Sequence, residues 1–434
     1  MQRLSIPLHG TDLPDNMKPV LFVYESQLRQ VLTTSGSTYA RAVAFEWPGE
    51  DVYHVHTEFP QVAPSGYPNP AFVKVLQNAV QFEDCVSMFA ELAAAFPENT
   101  LLPSKGIIGI FLYLDEDRLR QKAFRKLGNE QTACEVKFVP EKTALYARSK
   151  GLLEVEALSG KNVLIIGLGS FGSVIALELA KAGIGNFTLV DFDRVELGNI
   201  SRHVCGVNEL GRFKTRAIRD AVHLKNPYAN VNTHEADINE NRSLLSEWMQ
   251  AADLIICATD NNRSRFNINE LAHLHNKTVI YGRALTRAEG GDVFIQHGNA
   301  GPCYCCLIGE DNGARLGEEE ITSREQADEV LPAYTTPEQK EAAVQVGLSS
   351  DILPMCNMMV KLGLVELSRG LSGGLQALET ELTYDYYFWA NRRERHYGNF
   401  APFNRSQGQP TVLKWYGVHI PTSSECFLCG LTNE

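Results

Sequence analysis

The pattern of hydrophobic and polar residues changes near residue 140. Before this position, apolar runs of strand length, such as PVLFVYES, ARAVAFEW and GIIGIFLYL, alternate with helical patterns such as VSMFAELAAAF and FVKVLQNAVQF. A Pro-rich stretch from Pro60 to Pro70 is predicted to be a loop. We therefore expect an N-terminal α/β domain over residues 1–140 and a second domain over residues 141–434.

After residue 140, strand and helix patterns alternate more regularly. The strand NVLIIG leads into a helix, FTLVDFD follows it, and VNTHEAD, LIICATD and TVIYGRA each follow a further helical segment. Repeated units of this kind predict a parallel sheet with helices on both faces. The predicted fold class is therefore α/β, with a Rossmann-like doubly wound sheet and a separate N-terminal α/β domain.

A glycine-rich turn follows the first strand of the second domain. The strand runs into Gly167, Gly169 and Gly172, and then into an amphipathic helix. Glycines permit a tight turn and a close approach of backbone to phosphate, and the helix N-terminus offers free N–H groups. Asp191, at the end of the next strand, suits a ribose hydroxyl pair. A nicotinamide-dependent dehydrogenase explains these features equally well.

The residues after Asp191 separate these alternatives. They run DFDRVELGNISRHVCGVNELGRFK, and a later strand is followed by TDNNRSR. Both segments resemble signatures of the superfamily of ubiquitin-activating enzymes, ThiF and MoeB, namely D-x-D-x-V-x-x-x-N-x-x-R and T-D-N-x-x-x-R. The resemblance covers about residues 141–434 and implies ATP-dependent adenylation of a carboxylate, with Mg²⁺ as a cofactor.

The resemblance also implies a role for each matching residue. The ATP site would consist of the three glycines with Asp191, Asp193, Asn199, Arg202, Lys214 and Asp260. Arg202 and Lys214 would neutralise phosphate oxygens, because the attacking carboxylate and the triphosphate are both anions. Asp260, at the carboxyl end of a strand, would bind Mg²⁺. Arg148 matches an arginine that the family inserts into the partner subunit's ATP site, which implies a homodimer.

Two Cys-x-x-Cys pairs predict a zinc site. Cys303 with Cys306 and Cys426 with Cys429 have the local spacing of tetrahedral Zn²⁺ ligands. They also resemble the P-C-x-x-C-L segment and the C-terminal C-x-x-C of the family. Four protein ligands leave no open position for a water molecule, so we expect the zinc to be structural.

The position of a catalytic cysteine is left open by the sequence. Many members of the superfamily carry the acyl group on a cysteine after the first zinc pair, but residues 307–355 contain none. Cys356 would have a lowered pKa near a helix N-terminus and could form a thioester, although its apolar neighbours favour a buried structural role. Cys305 and Cys205 are further candidates. The enzyme either stops at the acyl-adenylate or forms its thioester at an unusual position.

The first 140 residues are less informative. Their element order resembles JAB/MPN deubiquitinase-like domains, and His54 with His56 forms an H-x-H motif. Where those domains continue with Ser, this chain has Pro64. Alternate positions of a strand share one face, so the two histidines need not bind a metal. We therefore expect a non-catalytic docking domain for a protein substrate or a conjugating enzyme.

Composition narrows the class of partner. The formal charge of −12 disfavours nucleic acid, since an acidic surface repels phosphate. The sequence shows neither a signal peptide nor an apolar run that could span a membrane. Ten cysteines without an export signal favour thiols or metal ligands. These features predict a cytoplasmic protein that binds neither nucleic acid nor membrane.

The leading functional hypothesis is adenylation of the C-terminal carboxylate of a ubiquitin-like protein ending in Gly, with release of pyrophosphate. Thioester formation and transfer to a conjugating enzyme could follow. The alternative is adenylation of a small peptide, as in microcin-maturing relatives. A dehydrogenase gives no role to Arg202, Lys214 and Asp260, and a non-catalytic scaffold gives no reason to retain Lys214 and Asp260.

Overall fold

A computed structural model describes the larger part of the chain. The described residues are 18–33, 39–47, 50–58, 66–77, 84–95, 106–115, 118–139, 145–149, 155–285, 288–309, 331–332, 335–337, 347–371, 375–392 and 412–430. They divide into two compact units, one ending at Leu145 and the other beginning at Tyr146. None of the described helices is long and apolar enough to cross a membrane.

The first unit contains a closed barrel of seven strands in the order β1-β3-β2-β4-β5-β6-β7. Parallel pairing of β1 with β7 closes the barrel. Alternate residues such as Leu21, Val23 and Val55 are fully buried, because successive side chains of a strand point to opposite faces. The strands are β1 Val20–Tyr24, β2 Tyr39–Trp47, β3 Val52–His56, β4 Tyr67–Val75, β5 Gly106–Asp115, β6 Arg118–Leu127 and β7 Glu130–Val139, with helices α1 Glu25–Thr33 and α2 Cys85–Ala94.

Two predictions in this unit are wrong. The first four residues of the segment predicted as the helix FVKVLQNAVQF lie in strand β4, where Phe72 and Val73 are both fully buried. Residues 78–82 of this segment lie outside the described part. Phe72 packs in one cluster and Val73 in another, so both faces of the strand are covered. The predicted loop also ends too late, because Pro68 and Pro70 lie in β4 and pair with β2. Residues 59–65 lie outside the described part.

The second unit is built on an eight-stranded sheet in the order β10-β9-β8-β11-β12-β13-β14-β15. Strands β8 to β12 are parallel, as predicted, and β13, β14 and β15 extend the sheet in antiparallel pairing. The strands are β8 Asn162–Ile166, β9 Asn186–Val190, β10 Asn230–His234, β11 Leu254–Cys257, β12 Thr278–Ala284, β13 Gly290–His297, β14 Tyr386–Ala390 and β15 Lys414–Val418. The α-helices are α3 Val155–Leu158, α4 Gly172–Lys181, α5 Lys214–Lys225, α6 Arg242–Ala251, α7 Asn262–His275, α8 Tyr304–Ile308, α9 Ser349–Leu367 and α10 Gln376–Glu379.

Both faces of this sheet are buried. On β8, Val163 and Ile165 pack into a cluster with helices α4, α5 and α9, whereas Leu164 and Ile166 pack into a second cluster with α6 and α7. Each fully buried aliphatic side chain contributes about 1.5–3 kcal/mol. This two-sided burial explains why the strands are continuous apolar runs. The predicted doubly wound α/β fold is therefore confirmed.

The topology brings three loops to one edge of the sheet. The glycine turn follows β8, Asp191 follows β9, and Asp260 lies three residues after β11. Because these strands are parallel neighbours, their carboxyl ends lie side by side. Ligands of open α/β sheets bind at this edge.

Candidate functional site

The glycine turn has the backbone geometry that its sequence predicts. Gly167 has a φ of +86°, and a Cβ added there would lie 2.7 Å from the backbone oxygen of Ala258. A Cβ added at Gly172 would lie 1.9 Å from the oxygen of Gly167. A Cβ added at Gly169 would instead meet no atom within 4 Å. The turn is therefore packed against the neighbouring strand end and open at Gly169, which fits the close approach of a phosphate group.

Asp191 braces this turn from the next strand. One carboxylate oxygen accepts a hydrogen bond from the backbone N–H of Leu168 at 2.6 Å, and the other accepts from the N–H of Asp193 at 2.8 Å. Burial raises the pKa of Asp191, and the nearby Lys214 opposes that shift. Each carboxylate oxygen has a second lone pair, so these bonds leave acceptors for ribose hydroxyl groups.

His203 is a site residue that sequence reasoning missed. Its Nδ1 accepts from the backbone N–H of Cys205 at 3.1 Å, which places the proton of the neutral ring on Nε2. Nε2 then donates to the backbone oxygen of Leu168 at 2.7 Å. Burial lowers the pKa of His203, and the charges of Lys214 and Arg202 lower it further. The available signal was its place directly after Arg202 in the signature segment.

Lys214 is the first residue of α5 and is almost fully buried. Its ammonium group donates to Asp193 Oδ2 at 2.7 Å, and its backbone N–H donates to the oxygen of the same residue at 3.0 Å. Burial disfavours the charged amine, but the carboxylates of Asp191 and Asp193 outweigh it and raise the pKa of Lys214. The structure thus keeps a buried, protonated lysine beside the glycine turn.

Arg202 and Asp260 attract each other across the same edge of the sheet. Burial lowers the pKa of Arg202, and the carboxylate of Asp260 opposes that shift. Arg202 is half-buried, whereas Asp260 is exposed. The charges of Arg202 and Lys214 both act on His203, so both cations lie near this histidine.

The remaining predicted residues are placed as follows. Asn199, in a 3-10 helix over Leu197–Asn199, accepts from the backbone N–H of Glu196 at 3.3 Å. Arg148 is exposed in a 3-10 helix over Ala147–Ser149. In the part of the chain that the structure describes, no hydrogen bond or ion pair links Arg148 to the other predicted residues.

The residues directly before and after Asp260 are hydrogen-bonded to the first turn of α7. Asn261 caps this helix, accepting from the backbone N–H of Ser264 at 2.9 Å. The hydroxyl of Ser264 donates to Oγ1 of Thr259 at 2.7 Å, and the guanidinium of Arg265 donates to the backbone oxygen of Thr259 at 2.6 Å. Capping of this kind typically contributes about 1 kcal/mol. The exposed Asp260 therefore lies on a well-fixed backbone.

The four predicted zinc ligands lie together in the structure. The Sγ atoms of Cys303, Cys306, Cys426 and Cys429 all lie within 4.8 Å of one another, and all four residues are buried. The Sγ of Cys303 lies 3.8 Å from that of Cys306 and 3.5 Å from that of Cys426. Four thiolates at ~2.3 Å from a tetrahedral Zn²⁺ would be ~3.8 Å apart. The cluster therefore fits a closed zinc site.

The prediction that Cys356 lies near a helix N-terminus is wrong. Cys356 is the eighth residue of the 19-residue helix α9 and has no exposed surface. Its Sγ lies 3.9 Å from the backbone oxygen of Ser170 in the glycine turn, and burial raises its pKa to about 12. Burial and a raised pKa both lower the reactivity of a thiol, so these properties favour a packing role for Cys356 behind the turn over a thioester role.

The other two cysteine candidates also differ in exposure. Cys205 is buried, and burial raises its pKa to about 11. Cys305 is partly exposed, and its Sγ lies 3.0 Å from Nδ2 of Asn269 on α7. The charged segment over residues 310–330 lies outside the described residues.

Similarity to solved structures is low. A crystal structure of E. coli MccB with AMPCPP and MccA is 16% identical, has a TM-score of 0.47 and covers 67% of this chain and 75% of that chain. A structure of PaaA is 18% identical with a TM-score of 0.41, covering 73% of this chain and 81% of that chain. Both TM-scores are too low to support an inference about this chain.

Curated relatives match less than half of this chain. The adenylyltransferase and sulfurtransferase MOCS3 of Aedes aegypti is 31% identical over 184 residues, which is 41% of this chain and 41% of the relative. UBA4 of Candida albicans, described in the same words, is 29% identical over 206 residues, covering 45% of this chain and 46% of the relative. The chain therefore spans less than half the length of the curated relatives it matches.

The model of the ThiF family matches residues 143–409, which is more than half of the chain. The match includes the glycine turn, the loop of Asp260 and the first cysteine pair. The chain therefore belongs to the ThiF family.

Proposed function

We propose that this chain is an ATP-dependent adenylyltransferase that activates the C-terminal carboxylate of a ubiquitin-like protein. The observation that carries the proposal is the arrangement of two cations and one exposed carboxylate around an open glycine turn. Lys214 is buried and charged, the charges of Arg202 and Asp260 act on each other, and the turn is open at Gly169. Membership of the ThiF family and relatives described as adenylyltransferases support the same reaction.

The residues suit the charge that this reaction must accommodate. An oxygen of the substrate carboxylate attacks the α-phosphorus of ATP, the bond from that phosphorus to the bridging oxygen breaks, and pyrophosphate leaves. Two anions approach each other in this step, so fixed positive charge lowers the barrier. Lys214 and Arg202 would hold the phosphate oxygens.

A magnesium ion bound beside Asp260 would screen the phosphates and favour departure of pyrophosphate. Asp260 fits this role because it is exposed on a loop that α7 holds in place. Magnesium prefers one or two carboxylates together with phosphate oxygens. The N-terminus of α4 and the open turn at Gly169 would take the phosphates, and Asp191 the ribose.

Further parts of the proposal concern partners and cofactors. The cysteine cluster would hold one structural Zn²⁺. The substrate would be a ubiquitin-like protein ending in Gly, with a conjugating enzyme as acceptor if a thioester forms. A homodimer would bring Arg148 to the partner's ATP site, and the N-terminal barrel would be the docking unit.

Exchange of labelled pyrophosphate into ATP tests the proposal. We expect exchange that depends on a Gly-ended ubiquitin-like protein, and a loss of at least about 100-fold in Asp260→Ala and Lys214→Ala. Glu247→Ala, which removes an exposed carboxylate on α6, is the matched control and should keep full exchange. Exchange with a short peptide alone would identify the peptide-adenylating alternative, and no exchange with any carboxylate would overturn the adenylation proposal.

A further inference from the structure

Tyr304 connects the cysteine cluster with the Asp260 loop. It directly follows Cys303, and its side chain is 1% exposed. Its hydroxyl donates to Oδ1 of Asn262 at 3.2 Å, and its backbone N–H donates to Oδ1 of Asn269 at 3.0 Å. Both acceptors lie on α7, the helix that begins two residues after Asp260. One residue of the cysteine segment therefore contacts this helix at two points.

The hydroxyl bond reaches the part of the loop that fixes Asp260. Oδ1 of Asn262 also accepts from the guanidinium of Arg265 at 3.2 Å. The other arm of that guanidinium donates to the backbone oxygen of Thr259 at 2.6 Å. A continuous path of hydrogen bonds therefore runs from Tyr304 to the residue before Asp260. Arg265 is 7% exposed, so these bonds lie away from bulk water.

The ring of Tyr304 is itself held in one position. It stacks on Tyr281, with ring centroids 4.8 Å apart and an angle of 24° between the planes. Phe294 and Phe266 contact it from other sides, at 6.4 and 5.9 Å between centroids. A phenylalanine would keep these ring contacts and lose only the hydroxyl. The hydrogen bond to Asn262 can therefore be tested separately from the packing.

We propose that Tyr304 is a positioning residue through which the metal-binding cysteines hold the Asp260 loop in the geometry that binds magnesium-bound ATP. The inference rests on the proposed function, since it assigns Asp260 to the metal. A zinc ion would fix Cys303 and therefore the start of α8. The two hydrogen bonds from Tyr304 to Asn262 and Asn269 would then hold α7 in place. Loss of the hydroxyl should weaken the magnesium-dependent part of nucleotide binding and leave the zinc content unchanged.

The test compares nucleotide affinity with and without Mg²⁺ in Tyr304→Phe, by titration calorimetry with full-length protein. We expect about one zinc per chain, unchanged affinity for metal-free ATP, and a 2- to 10-fold weaker affinity for MgATP, which is the range of one buried hydrogen bond. Tyr281→Phe is the matched control, because it removes a buried hydroxyl of the same stack that donates to Gln296 and not to the loop. It should bind MgATP like the parent.

A second variant keeps the test decisive if Tyr304→Phe is poorly folded. Asn262→Ala removes the acceptor, and it should also weaken MgATP binding with zinc retained. In the double variant the loss should be smaller than the product of the two single losses, since both remove the same bond. Equal MgATP affinity in parent and Tyr304→Phe, or fully multiplicative losses, would overturn the role of Tyr304. A parent protein that does not bind ATP would instead overturn the proposed function.

Discussion

Nε2 of His203 lies 2.7 Å from the backbone oxygen of Leu168, in the middle of the glycine turn. The backbone N–H of the same leucine is held by Asp191 at 2.6 Å. Two side chains from separate segments thus fix the N–H and the carbonyl of one residue. These two hydrogen bonds hold the turn, and the lowered pKa of His203, caused first by burial, favours the neutral ring that donates one of them.

Replacement of this histidine should weaken nucleotide binding. In His203→Ala the carbonyl of Leu168 and the N–H of Cys205 both lose a buried partner, at a cost of about 1–3 kcal/mol. We expect the Kd for MgATP to rise by at least about 5-fold in calorimetric titrations. His203→Gln can still donate to Leu168 and should recover part of the affinity. An unchanged Kd in His203→Ala would show that the turn holds its shape without this residue.

The cysteine cluster should bind one zinc ion per chain. We expect elemental analysis to give about one zinc in the parent and none in the double variant Cys426→Ser with Cys429→Ser. The free energy of zinc binding adds to the folding stability at such sites. A strong chelator should therefore also lower the Tm. Cys305→Ser is the matched control, because Cys305 lies between two of the ligands and is outside the group of four. Loss of zinc in that variant would show that Cys305 is a ligand.

Cys356 should be dispensable for chemistry. Cys356→Ala is expected to keep pyrophosphate exchange and any thiol-sensitive adduct with the substrate protein, since the thiol is buried and its pKa is raised to about 12. Its cost should appear in stability, at about 1 kcal/mol for the lost packing, measured by urea unfolding. Disappearance of the adduct in this variant alone would restore Cys356 as a thioester site.

The barrel of the first unit should lose stability in mild acid. His56 is 5% exposed, and neither ring nitrogen has a hydrogen-bond partner among the residues that the structure describes. It packs against the rings of Tyr24 and Phe45. Burial, followed by the charge of His54, lowers the pKa of His56 from 6.5 to about 4. The unfolded chain therefore takes up a proton near pH 6.5 that the folded barrel excludes until about pH 4.

This difference in the pKa of His56 between the folded and unfolded chain makes acid destabilise the barrel. The stability that neutral His56 contributes is complete above pH 6.5 and is lost progressively as the pH falls towards 4, by at most ~3 kcal/mol. In His56→Phe this part of the pH dependence should disappear when urea unfolding at pH 8 and pH 5 is compared by circular dichroism. His54→Phe is the control, because His54 is only half-buried and should have a smaller effect. Identical pH dependence in parent and His56→Phe would refute the assignment.

The sequence alone determined the parallel part of the sheet in the second unit, whereas the antiparallel strands β13 to β15 were not predicted. Continuous apolar runs such as NVLII are expected where both faces of a strand are covered, and the glycines between β8 and α4 indicate a tight turn. The four clustered cysteines were also predictable as candidate metal ligands, because each Cys-x-x-Cys pair is local in the sequence. These features depend on neighbours within a few residues, which a sequence displays directly.

The first unit was less predictable. Strand β6, Arg118–Leu127, has basic residues at several positions, so its pattern does not indicate a strand. Closure of the barrel depends on pairing β1 with β7, which lie over a hundred residues apart. Part of strand β4 was predicted as a helix because a short apolar run fits the periodicity of a helix as well as that of a strand. Only its burial on two faces in the structure identifies the strand.

Only the tertiary structure decided how the site is held. The contacts of Leu168 with His203 and Asp191 join three separate segments of the chain, so the spacing of these residues in the sequence does not predict them. The reactivity of Cys356 was decided in the same way, since its sequence neighbours do not show that α9 packs it against the glycine turn. Burial and hydrogen-bond geometry arise from contacts between segments that are distant in the sequence. They determine the pKa and the position of each side chain, whereas the sequence gives only the residue type.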